Sequence, residues 1–121
     1  MNTPKLKFYI LDSRVGDLMA ETLYFRAKER NIPIEINCSM EYKVSSLPRN
    51  FDAYLLHLSN TFDRDIENLR EEQPWSKVFG ISGDLTKAKT SVGYLDRIFY
   101  VVGERDLDDI LDKTKSIFSK Q

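Results

Sequence analysis

In Phe51-Asp-Ala-Tyr-Leu-Leu-His-Leu-Ser-Asn60 apolar residues run almost without a break, and the chain's single histidine, His57, stands close to where polar residues resume. A strand with one wet face alternates apolar and polar residues, so an unbroken run of this length between polar turn residues predicts a strand covered on both faces, as in the interior of a parallel sheet. Ligands of open α/β folds bind outside the carboxyl ends of such strands. Any chemistry is therefore expected near His57, Ser59 and Asn60.

The flanking sequence supplies the other elements. Leu6, Phe8 and Ile10 alternate with Lys7, Tyr9 and Leu11, predicting a first strand over Lys5 to Leu11 that stops at Asp12. Val15, Met19, Leu23 and Ala27, joined by Leu18, Thr22 and Phe25, recur at three- and four-residue intervals and predict one helical stripe up to Arg30, closed by Asn31 and Pro33. Ile34, Ile36 and Cys38 alternate with Glu35 and Asn37 behind a proline that has no N–H to give, which places this strand at the sheet margin. Between Ser39 and Asn50 the pattern weakens, and Met40, Val44 and Leu47 support at most a turn or two of helix. After the central strand, Asn60 or Thr61 is placed to cap a helix with Phe62, Ile66 and Leu69 on its buried side, ended by Pro74.

Trp75 then opens a fourth strand as a packing residue, with Val78, Phe79 and Ile81 apolar and Gly80 suited to a close neighbour. Leu85, Ala88, Val92 and Leu95 predict a short or irregular helix, because Thr90, Ser91 and Gly93 weaken it. Ile98 to Val102 is a fifth strand. In the helix that follows, Leu107, Ile110, Leu111, Thr114, Ile117 and Phe118 share a core face, and Asp106 is placed to cap.

Strands alternating with helices predict an α/β domain over residues 1–121: a flavodoxin-like three-layer α/β/α sandwich whose five-stranded parallel sheet has the order 2-1-3-4-5. Eighteen basic and 19 acidic residues leave a net charge of −1, which gives no overall field for nucleic acid or an anionic membrane. A lone cysteine, Cys38, excludes an internal disulfide, and a single histidine removes the usual His pair of a catalytic metal site, so no metal is expected. No apolar segment approaches the ~20 residues of a membrane span, and the amino terminus lacks the apolar stretch of a signal peptide. A cytoplasmic setting is expected.

The predicted order gathers four strand ends: Asp12; His57 with Ser59 and Asn60; Ser82 with Gly83 and Asp84; and Gly103 with Glu104 and Arg105. By element order and by the register of these positions, the chain from about Lys7 to Phe118 resembles a receiver domain of two-component response regulators. A receiver has two adjacent acids after strand one; here Asp12 matches the first and Ser13 takes the place of the second. The phospho-accepting aspartate corresponds to His57 in Asp52-Ala-Tyr-Leu-Leu-His57, the hydroxyl residue ending strand four to Ser82, and the lysine ending strand five to Gly103. The resemblance thus implies a pseudo-receiver: a non-enzymatic regulatory domain that needs no cofactor, lacks standard aspartyl phosphorylation and acts on a protein partner, a second copy of the chain included. It also implies an interaction face at Lys87, Lys89, Tyr94 and Tyr100.

Other readings stay open at the level of residues. His57 is either a hydrogen-bonded structural residue or a phosphoryl acceptor, and Asp12 either caps the first helix or binds metal. Ser82, Gly83 and Arg105 could form a small anion site, which together with His57 and Asp12 would suit a small-ligand or phosphoryl-carrying module. No Gly-x-Gly-x-x-Gly, phosphate-binding Gly-x-x-x-x-Gly-Lys-Ser/Thr or Gly-x-Ser-x-Gly motif occurs, which leaves nucleotide binding and serine hydrolysis without support.

Overall fold

A computed structural model describes residues 5–44, 46–82, 95–99 and 103–119, with 104 and 117–119 as backbone only. Along it follow β1 (Leu6–Leu11), α1 (Gly16–Glu29), β2 (Ile34–Ser39), β3 (Ala53–His57), a 3-10 turn (Leu58–Asn60), α2 (Asp63–Glu72), β4 (Lys77–Ile81), β5 (Arg97–Phe99) and α3 (Glu104–Ser119). The sheet is parallel throughout, in the order β2-β1-β3-β4-β5 that the sequence predicts. The helix predicted between Leu85 and Leu95 lies outside the described residues, apart from Leu95 itself.

Two cores follow from the strand alternation. On one face Phe8, Ile10, Leu55 and Phe79 meet Met19, Leu23 and Ala27 of α1 and Leu107, Ile110 and Leu111 of α3. On the other, Tyr9, Leu11, Tyr54, Leu56 and Val78 meet Ile66 and Leu69 of α2 together with Val44, Leu47 and Phe51 of the β2–β3 connection. Tyr54, Leu55 and Leu56 are all fully buried, as a strand flanked on both sides and covered on both faces must be. The edge strand β2 is wetter, and its outward Ile36 amide donates to the Tyr24 hydroxyl at 3.0 Å.

Helix ends obey local chemistry. Asn31 takes the left-handed conformation (φ 57°), while the amides of Asn31 and Ile32 reach the Lys28 and Ala27 carbonyls at 3.1 and 2.9 Å, so Asn31 and buried Ile32 stop α1 before Pro33. At α3 the carboxylate of Asp106, three residues inside, accepts the Gly103 amide at 2.8 Å. Gly80 admits a close neighbour, as its sequence context suggests: a Cβ there would lie 2.7 Å from Leu95 Cδ1 and 3.2 Å from Leu58 Cδ2. Between α1 and α3, Arg26 grips Asp108 through Nε at 2.9 Å and Nη2 at 2.5 Å, and Arg30 pairs with Asp108 and Asp112.

Several expectations need correction. Val15, Leu18 and Phe25 are exposed, because the inward row of α1 is only as wide as Gly16, Met19, Leu23 and Ala27. Phe62 precedes α2 and is exposed beneath the Lys43 ammonium rather than buried. Neither Asn60 nor Thr61 caps α2: its N-cap position is Phe62, without a side-chain bond, and the Thr61 hydroxyl instead donates to the His57 carbonyl. Trp75 sits in the turn before β4 and is half exposed, so it does not pack the sheet. Met40 is exposed and no helix forms around it. Ile117 and Phe118 have side chains outside the described residues.

Two consequences are measurable. The Tyr54 hydroxyl donates to the Pro48 carbonyl at 2.8 Å and accepts from the Phe51 amide and Gln73 Nε2, both at 3.3 Å. Tyr54→Phe strands these buried partners and should cost about 1–3 kcal/mol in denaturant unfolding with an unchanged m-value. Arg26, chiefly through its hydrogen bonds, holds the Asp108 carboxyl below its usual range, so the pair stabilises above the unfolded carboxyl pKa and loses that contribution as pH falls through the folded one. Asp108→Asn should therefore lower the melting temperature at pH 7, and the gap from wild type should close as pH falls below about 4.

Candidate functional site

The carboxyl ends of the central strands meet by register. Leu11 pairs with Leu56, so Asp12 and His57, each the next residue, leave the sheet side by side. His57 pairs with Ile81, and Ser82 follows it with its amide on the Phe99 carbonyl at 2.9 Å. The structure thus brings Asp12, Ser13, His57 and Ser82 to one end of the sheet. Gly103, its N–H on Asp106, begins α3 after β5, and Arg105 in the first turn of α3 is exposed. Gly83, Asp84, Lys87, Lys89, Tyr94 and Tyr100 lie outside the described residues.

Local bonding defines what these groups are free to do. Asp12 is buried, and its Oδ1 accepts the amides of Arg14 and Val15 at 2.9 and 3.2 Å, which shapes the turn into α1. His57 is partly buried, and its Nδ1 accepts the Ser59 amide at 3.2 Å, opening the 3-10 turn. A ring nitrogen that accepts carries no proton, so the neutral imidazole has its proton on Nε2. Ser13 is partly buried and Ser82 buried.

Asn60, which the sequence offered as a helix cap, is the organiser of this end. It is buried; its Oδ1 accepts the Ser13 amide at 3.0 Å and its Nδ2 donates to the Tyr42 carbonyl at 2.5 Å. One amide side chain therefore ties the β1–α1 loop and the β2–β3 connection to the end of β3. The partners lie 47 and 18 residues away, so no local pattern announces them.

A hard divalent cation of the magnesium type needs several oxygen ligands with free lone pairs. Among the described residues Asp12 already spends one oxygen on two amides, Ser13 stands beside it, and His57 offers nitrogen. Among the described residues no three His, Cys, Asp or Glu side chains converge as a metal site. The described residues at this margin do not fit such an ion.

No protein family profile and no curated protein sequence matches the chain. Solved structures do. The BeF3-activated receiver domain of DrrB superposes with a TM-score of 0.62 at 8% identity, over 96% of this chain and 99% of that one. The response regulator TrrA of Thermotoga maritima, solved with Mg2+ and BeF, gives 0.60 at 13% identity over 93% and 98%. The signal receiver domain of an HD domain-containing protein from Pseudomonas fluorescens Pf-5 gives 0.62 at 12% identity over 99% and 94%. At these identities the likeness is one of fold, and in fold the chain is a receiver-like domain.

Proposed function

We propose that this domain is a signal-transduction regulatory module of the pseudo-receiver type, which works through protein–protein contact, without enzymatic activity and without aspartyl phosphorylation. The carrying observation is the state of Asp12 and its neighbours: the five-stranded parallel sheet keeps the receiver-like order, while the strand-end acid is committed to backbone amides of its own loop. Phosphoryl transfer to a receiver aspartate asks for a carboxylate nucleophile, a cation with free oxygen ligands and a fixed positive charge on the transferred oxygens. His57 replaces the first, Ser13 depletes the second, and Gly103, a helix N-cap without a side chain, replaces the third. Asn60 fills the organising role with neutral hydrogen bonds that need neither metal nor phosphate.

Incubation with acetyl phosphate and magnesium should leave the intact mass unchanged at neutral pH. His57→Asp alone should stay unmodified, because neither the second acid nor the lysine returns with it. Acyl phosphate found at Asp12 in the unaltered chain would remove this reading, and an acid-labile phosphate on His57 would replace it with a phosphoryl-carrying module.

A further inference from the structure

We propose that the outward face of α1 is a self-association surface, on which a second copy of this chain lays its own α1 antiparallel. The helix is apolar on two sides. Met19, Leu23 and Ala27 enter the core, yet Leu18 and Phe25, each 59% exposed, stand seven residues apart on the opposite side. Neither α2 nor α3 presents an exposed large apolar side chain among the described residues. Tyr24, the other exposed apolar residue of α1, is accounted for by its bond to the β2 edge. Among the described residues Leu18 and Phe25 have no such role.

The polar residues around this pair select the occupant. With a twofold axis between Glu21 and Thr22, Leu18 of one copy meets Phe25 of the other. At 100° per residue Asp17 and Lys28 lie on one flank of the Leu18–Phe25 row, and antiparallel pairing brings the Asp17 flank of one copy to the Lys28 flank of its mate. The helix dipoles of the two copies also oppose. Neither Asp17 nor Lys28 takes part in an ion pair among the described residues, so these charges are available. The face is also rigid, since Arg26 and Arg30 clamp α1 to α3 from the side.

The contact is small. A helix of 14 residues is about 21 Å long, and two such helices bury less than the ~1,200 Å² of a standard interface. The two Glu21 carboxylates, nearest the axis, further weaken it. A transient dimer with a dissociation constant on the order of 100 μM is the expected strength. This inference stands apart from the signalling reading, because no phosphoryl donor enters it.

Sedimentation of the whole chain from about 10 μM to about 1 mM brackets that strength. The weight-average mass of wild type should climb from the monomer's 14.1 kDa toward twice that value. Leu18→Glu and Phe25→Glu should each hold the monomer mass throughout while melting as wild type does, since both side chains are exposed in the monomer. Asp17→Lys and Lys28→Asp should each weaken association about tenfold or more, and the two together should restore it. A wild type that stays monomeric at the top concentration would overturn the proposal and leave the face to a different protein. So would undiminished dimerisation of Leu18→Glu and Phe25→Glu, or a charge swap that fails to restore.

Discussion

The backbone of β1, β3 and β4 lies between layers that exclude water, and every amide and carbonyl there must find a partner in the sheet. Parallel pairing satisfies them, but it forbids tight hairpins and forces each connection across the sheet. The helices are the consequence: α1 and α3 close one face, and α2 with the Val44–Phe51 segment closes the other. The strand ends are then left at one margin, and the domain's polar groups gather there because that margin is where the chain leaves the sheet.

The fold was legible because burial on two faces leaves a mark that composition alone does not. The Tyr54–Leu56 run announced the central strand, and Pro33 announced the edge. The errors share a physical origin. Apolar residues of α1 spread over much of its circumference, while the core takes only the arc of Met19, Leu23 and Ala27, so spacing could not say that Leu18 and Phe25 point away. Phe62 and Trp75 are aromatic, yet they sit where the chain enters α2 and β4, outside both cores. Aromatic character does not itself indicate depth.

At the strand ends, strand order supplies addresses but not bonds. Asp12 and His57 fall side by side because Leu11 and Leu56 pair, which strand order alone predicts. The roles of Asp12 and Asn60 depend on amides contributed by loops whose path no periodicity encodes. Asp12 serves its own turn, whereas Asn60 joins segments far apart in the chain. A neutral amide in that place ties the loops together without adding a charge to balance.

The Arg26–Asp108 pair spans 82 residues, and the inner face of α1 is shared with Leu107, Ile110 and Leu111. During synthesis from the amino terminus, Met19, Leu23 and Ala27 therefore wait for the last helix before that core can close. Such high contact order slows folding and leaves the apolar face of α1 uncovered until α3 has been made.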